Sequence, residues 1–385
     1  MPLDANNRYY NLRLTVIKRV IPSLHKGSRF QPPKYTITPL RYDPEFPFIY
    51  NNFTYRIDLA SPYFPVIPWM FYNKLPAGTA PIPAQGLSTV VMRLANPDEE
   101  EFWGEGNRWA NNLAARQVAR RALADAGIGP IVPAVYARFD KEISGTMEEY
   151  MPGQNLEQLF WKLSAEDKRG VLEQMARILA TLQKAPAPQP VWKVKSLREV
   201  LEGVDLKQRA FVHGDFGVVT NTRDRWLLAA LNNMLYDSET KRITALLDFD
   251  TAMFTNPADE FLNAFHDTGG NLVHSSAAKI HKFLTTGCRL DSEENSGLTE
   301  RQMETWDPCK EWIAAMDRCD VLRPRDIAGM QAILKVKELE VLLCPVELKQ
   351  EVMMRGLSEE GKVGRRKVAE DKIIQWFSDH RIPLK

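Results

Sequence analysis

Residues Phe211 to Phe261 read FVHGDFGVVTNTRDRWLLAALNNMLYDSETKRITALLDFDTAMFTNPADEF. His213-Gly214-Asp215 stands near the start and Asp248-Phe249-Asp250 towards the end. Between them, Met234-Leu235-Tyr236 and Ile243 to Leu247 are short apolar runs. They are separated by Asp237-Ser238-Glu239-Thr240-Lys241, a segment rich in turn formers. That pattern predicts a β-hairpin. The hairpin begins just after Asn233 and ends at Asp248, so its open end brings an amide and a carboxylate close together. With the lone Asp215 upstream, this set has the chemistry to hold Mg²⁺ on a triphosphate and to accept a hydroxyl proton.

These residues resemble the aminoglycoside phosphotransferase family, a branch of the kinase-like fold that phosphorylates small molecules. In that family HGD is followed by a metal-binding Asn, and the metal Asp opens a D-[FW]-[DE] on the next strand. Here the matching positions are His213-Gly214-Asp215, Asn233 and Asp248-Phe249-Asp250. Upstream, Glu149-Tyr150-Met151-Pro152-Gly153 matches the family's hinge. Downstream, Asn256-Pro257-Ala258-Asp259 matches the turn that follows the metal Asp. The resemblance covers roughly residues 45–275 and is specific around the hinge, HGD and DFD.

Two positions depart from the pattern. Kinase spacing puts the Asn five residues after the catalytic Asp, where this chain has Thr220, with Asn221 one place too far. Residues 217–230 read as an insertion, and a loop can bulge out and return at modest entropic cost. Asn233 is the first candidate for the metal amide, with Asn221 and Asn232 the others. The second departure lies in the helix whose Glu pairs with the strand cation in the family. Asn112 stands in that place, and it carries no charge.

The rest of the chain supplies the frame. Arg13 to Ile21 suits a short strand or a helix equally. Phe46 to Ala60 mixes aromatic, β-branched and polar residues as a half-buried strand pair does, with Asn51-Asn52 as its turn. Six prolines between Ser61 and Gly86 indicate an extended surface excursion. Ser88 to Leu94 is a buried strand carrying Arg93, whose planar fork suits phosphate. Asn107 to Ala126 is a helix on propensity, stopped by Gly127. Val132 to Arg138 is another strand. Ser164 caps a helix reaching Gln183, with Leu172, Met175, Ile178, Leu179 and Leu182 as its apolar stripe. Roughly 275–385 is helical, including Arg325 to Leu343 and Lys362 to His380.

Composition narrows the function classes. The chain has 385 residues, with Lys and Arg nearly balanced by Asp and Glu to a formal charge of +1. It therefore has no global basic field for nucleic acid or membrane. No apolar run approaches the roughly 18 residues of a membrane helix. The four cysteines show no CxxC spacing and read as free thiols in a reducing compartment. A soluble cytoplasmic protein is the expectation.

The resemblance implies an α+β, bilobal kinase-like fold. Residues 1–44 would be an extension, 45–150 a small β-rich N-lobe, and 151–385 a larger, mainly helical C-lobe. It implies an enzyme transferring the γ-phosphoryl group of ATP to a hydroxyl of a small molecule. The alternative is a catalytically impaired nucleotide-binding pseudokinase or scaffold. Asp215 would orient the acceptor hydroxyl, Asn233 and Asp248 would hold Mg²⁺, and Asp250 would assist the second metal or the acceptor. Arg93 would grip the phosphates, and Glu149, Tyr150 and Met151 would meet adenine. Carboxylates such as Asp259, Glu260, Asp267 and Asp291 would favour a cationic acceptor.

Overall fold

The structure is a computed structural model. It describes residues 7–23, 34–40, 50, 52–63, 78–97, 105–139, 141–186, 210–212, 231, 233–250, 252–255, 300–343, 354 and 357–381. His213, Asp215, Asn221, Asn232, Asp259 and the whole 217–230 insertion lie outside them. The fold is α+β, and the chain forms two units. Residues 1–153 and 244–250 make the first, and 154–243 and 251–385 make the second.

The first unit is built on a five-stranded antiparallel sheet in the order β1-β2-β3-β5-β4. Its strands are β1 (Tyr35–Leu40), β2 (Asn52–Tyr63), β3 (Leu87–Ala95), β4 (Val135–Phe139) and β5 (Gly145–Glu149). Among the described residues its helices are α1 (Tyr10–Ser23) and α2 (Glu105–Asp125).

Strand alternation gives this sheet two different faces. Phe53, Tyr55 and Ile57 of β2 and Val90, Met92 and Leu94 of β3 are buried on one face, in a single cluster with Val16, Ile17 and Ile21 of α1. Within that cluster Arg13 donates from Nε to the Tyr55 hydroxyl at 2.8 Å and lies 3.4 Å over the Phe53 ring, which offsets the cost of burying a cation. The opposite face is polar. Thr54 is opposite Arg93, Asp58 opposite Thr89, and Arg93 opposite Thr146. Directly opposed residues share a face, so Asn52, Thr54, Arg56 and Asp58 line up beside Arg93 and Glu148.

Two sequence expectations need correcting here. Asn52 is a strand residue and not half of a turn, while residues 46–49 and 51 of the expected strand pair lie outside the described residues. Asn52 opens one long strand opposite Ala95, and its hairpin partner is β1, upstream. Every residue from Asn52 to Asp58 alternates in burial, so the polar asparagine belongs to the ladder rather than to a turn. Residues set apart as an N-terminal extension contribute α1 and β1 to the same core. The Arg13–Ile21 ambiguity resolves as helix.

In the second unit α4 (Ala165–Gln183) has Ser164 as its N-cap, accepting from the Asp167 amide at 3.1 Å. Leu172, Met175, Ile178, Leu179 and Leu182 are buried as the periodicity requires. Helix α5 (Glu300–Arg318) is joined to α4 by Arg318–Glu173 and Arg169–Glu311 ion pairs. A short helix, α3 (Leu156–Phe160), precedes α4, and α6 (Met330–Leu343) and α7 (Glu359–Asp379) follow α5. Strands β7 (Ala210–Val212) and β10 (Met253–Thr255) pair antiparallel.

The predicted hairpin is β8 (Met234–Asp237) and β9 (Arg242–Leu246), extended by the two-residue β6 (Gln154–Asn155). Asp237 closes the turn by accepting from the Glu239 amide at 2.9 Å and the Thr240 hydroxyl at 2.8 Å. Lys241 takes the left-handed conformation that the tight return needs. The chain passes from the second unit into the first along β9.

Candidate active site

From the end of β9 the chain is anchored on both sides of Asp248. The Leu246 amide donates to the Ile131 carbonyl at 2.6 Å, and the Phe249 ring is completely buried. Asp248 lies between these anchors with φ 57°. Aspartate tolerates the left-handed region better than most residues. Such conformations persist where surroundings enforce them, and they concentrate at functional sites.

The two carboxylates meet Arg93. Its Nη2 donates to Asp248 Oδ1 at 2.9 Å and to Asp250 Oδ2 at 2.7 Å. Both bonds leave from one nitrogen, and among the described residues Nε and Nη1 make none. The Arg93 side chain is 9% exposed and Asp250 11%, whereas Asp248 is 40% exposed. Burial works against the Arg93 charge, but the carboxylates of Asp250, Asp248 and Glu148 outweigh it and hold the arginine above its ordinary pKa. The guanidinium is thus a permanent, preoriented cation with Nε and Nη1 not spent on the two carboxylates.

Asp250 is more fully engaged than Asp248. Asn112 Nδ2 donates to its Oδ1 at 2.6 Å, and Asn52 Nδ2 to its Oδ2 at 2.9 Å. Asn112 is 1% exposed. On α2 it shares the buried face with Trp109, Leu113, Arg116, Ala119 and Leu123. Apolar residues alone therefore leave that face with no continuous stripe. One turn on, Arg116 donates from Nη1 to Glu148 Oε2 at 2.8 Å, while Thr146 donates to Oε1 at 2.6 Å. Burial alone would raise Glu148, but the Arg116 and Arg93 charges and these hydrogen bonds hold it below the usual glutamate range.

The hinge residues sit at the end of β5. The Glu149 amide donates to the Ala134 carbonyl at 2.8 Å, and the Ala134 amide returns a bond to Glu149 Oε2 at 2.9 Å. Arg120 also reaches Oε2, at 3.4 Å. Burial pushes the neighbouring Tyr136 hydroxyl up to about 12, helped by the Glu149 charge. The Tyr150 hydroxyl accepts from Arg56 Nη1 at 3.3 Å, with the guanidinium 4.6 Å above its ring. Met151 is buried, and its backbone N–H and C=O make no hydrogen bond among the described residues.

Of the residues singled out in the sequence, Arg93, Asp248 and Asp250 converge within the first unit. Glu149, Tyr150 and Met151 belong to the same unit, while Asn233 is buried in the second, immediately before β8. Asn52, Arg116 and Glu148 were not picked out. The signal that could have found Arg116 is the same-face spacing of Asn112 and Arg116, polar side chains on a helix face that otherwise carries Trp109 and Leu113.

No protein-family model and no curated protein matches the sequence. Solved structures that resemble it include aminoglycoside phosphotransferases. The streptomycin–ATP ternary complex of APH(2'')-IIa has 10% identity and a TM-score of 0.40 over 86% of this chain and 89% of that one. APH(3'')-Id from Streptomyces rimosus has 13% identity and a TM-score of 0.32 over 76% of this chain and 98% of that one. ADP-bound APH(2'')-Ib has 12% identity and a TM-score of 0.34, over 81% and 98%.

The donor set can be tested against the Mg²⁺ that the family resemblance implies. Among the described residues no three His, Cys, Asp or Glu side chains gather as a metal site. Mg²⁺ on a nucleotide needs fewer, because phosphate oxygens and water complete its octahedron beside one or two protein carboxylates. Asp248, a part-exposed oxygen donor, fits that role. Asp250 fits it poorly, since three side-chain donors already occupy its two oxygens.

Proposed function

We propose that the protein is an ATP-dependent phosphotransferase that moves the γ-phosphoryl group to a hydroxyl of a small molecule. The observation that carries this reading is the Arg93 fork on β3, held by two carboxylates from the segment after a β-hairpin. A strand cation beside an acidic D-x-D is the arrangement that grips a triphosphate and its metal. In this reading the first unit is the N-lobe and the second the helical C-lobe of a bilobal kinase-like fold.

Arg93 holds the α- and β-phosphates with the donors it does not spend on carboxylates. Adenine lies along Glu149 to Met151, where the Met151 amide and carbonyl offer one donor and one acceptor. Asp248, with Asn233, is the ligand set for Mg²⁺. When bound, the ion neutralises charge on the phosphate oxygens in transit. Asp215 orients the acceptor hydroxyl and takes its proton late in the transfer. The acceptor is a hydroxylated small molecule, and the carboxylates Asp259, Glu260, Asp267, Asp291, Glu293 and Glu294 favour a cationic one. Positioning and electrostatics supply nearly all the catalysis, as in other phosphoryl transfers.

The test is transfer of labelled γ-phosphate from Mg-ATP across a panel of hydroxylated amines and sugars, with Asp215→Asn alongside. Transfer by the wild type, lost in the variant while ATP binding survives, is the expected result. Binding without transfer to any acceptor would favour the impaired nucleotide-binding protein, for which Asn112 in place of a helix carboxylate is the supporting observation. Near-normal turnover by Asp215→Asn would remove that residue from the mechanism.

A further inference from the structure

We infer that Asp250 is the positioning residue for Arg93. It takes over, from a segment after the hairpin, the task that a carboxylate on α2 would perform. The inference rests on the phosphotransferase reading for its meaning, and on the geometry of the first unit for its substance. Among the described side chains, helix α2 presents no carboxylate to Arg93. At the position facing the site it presents Asn112, and this amide donates to Asp250 Oδ1 at 2.6 Å. Asp250 passes the contact on through Oδ2, which accepts from Arg93 Nη2 at 2.7 Å. Asn52, at the start of β2, donates to the same oxygen at 2.9 Å. The carboxylate is therefore clamped by neutral donors from a helix and a strand, and its charge is directed at the arginine.

The polarity fits this assignment and excludes a simple relay through α2. An amide at 112 can donate to Asp250, whereas a carboxylate there would oppose it across 2.6 Å. Asn112 and Asp250 are thus a matched pair, helix amide against loop carboxylate. The charge has moved while the contact has been kept. Asp248 is the part-exposed carboxylate of the two, 40% accessible against 11% for Asp250, and in the proposed reading it is the one that meets the metal. Asp250 is then a group that acts through Arg93 and not on the reacting atoms.

Reciprocal substitution tests the idea. Asn112→Glu alone sets two carboxylates against each other. Asp250→Asn alone leaves Arg93 short of its closest counter-charge. Each single variant should weaken ATP binding about tenfold, on the order of 1.4 kcal/mol. The double variant Asn112→Glu/Asp250→Asn restores one carboxylate and one amide in swapped places. It should bind ATP more tightly than either single variant and return to within about threefold of wild type, a coupling expected only of groups in contact.

Crystal structures of the four proteins should show Arg93 Nη2 following the carboxylate to its new position on α2. If Asp250→Asn binds ATP as the wild type does, or if the double variant gains nothing over Asp250→Asn, the inference is overturned. Should Asp250→Asn be insoluble, recovery of folded protein in the double variant supports the inference, and its absence counts against it. A wild type that fails to bind ATP would sink the phosphotransferase reading alone, because the position of Arg93 in the swapped variant still decides the inference.

Discussion

At the scale of single residues, the site is a problem in burying charge. Glu148 and Arg116 are both nearly inaccessible, and Arg116 Nε has no hydrogen-bond partner among the described residues. Breaking a buried pair by removing one charge costs about 3–5 kcal/mol, because the other charge is left stranded. Glu148→Gln, which keeps the shape, should therefore lower stability by a figure in that range, read as a drop in the urea midpoint. The pH dependence has a definite sign. Glu148 is held below its ordinary value of 4.5 in the folded protein, so its contribution is complete above that value and drains away as pH falls through the lower, folded-state pKa. The wild-type and variant midpoints should converge in acid and stay apart at neutral pH. Equal separation at all pH values would show that Glu148 is not ionised in the native state. Asp248 and Asp250 were legible because a motif names them, and Arg93 because it stands on a strand that otherwise reads as buried. Asn52 was not, because an Asn-Asn pair favours a turn as readily as a strand start. Arg116 was missed because one arginine among many on a helix reads as solvated until the buried face is counted.

At the scale of elements, local chemistry decided most of what could be read. Ser164, Asp167 and the stripe from Leu172 to Leu182 mark α4 from cap to end, and each behaves as its position demands. Replacing the cap, Ser164→Ala, should cost about 1 kcal/mol, visible as a small fall in melting temperature with ATP affinity unchanged. A larger loss would mean that Ser164 supports more than one amide. Helix α2 ends as Gly127 foretold, with the Ile128 amide bonding back to the Leu123 carbonyl at 2.9 Å and Gly127 at φ +72°. The misread element was β2. Its alternation is regular, but alternation says nothing about which neighbour it pairs with. The partner β1 lies upstream in a region whose prolines and aromatics carry no hairpin signal. Non-local pairing of this kind is written in the packing of Phe53, Tyr55 and Ile57 against α1, not in any window of sequence.

At the scale of the molecule, the α+β class and the order of strands and helices follow from patterns spread along the chain. The pairing of a strand arginine with two distant carboxylates appears only in three dimensions. Linkage gives a measurable consequence. If nucleotide and metal bind the folded protein alone, Mg-ATP at a hundred times its dissociation constant should add about 2.7 kcal/mol of stability. A chelator should remove most of the resulting thermal shift, and a shift that ignores the chelator would count against Asp248 as a metal ligand. No helix among the described residues is long and apolar enough to cross a membrane.

The seven residues from Thr244 to Asp250 belong with Met1–Gly153, although their neighbours in the chain on either side belong to the other unit. Severing the polypeptide after Gly153 would leave Arg93 with Glu148 but strip it of both partners supplied from the far side of the hairpin. The stretch up to Gly153 is consequently not a detachable module: it borrows a short acidic splint from downstream, and translation must reach Asp250 before that splint can be set.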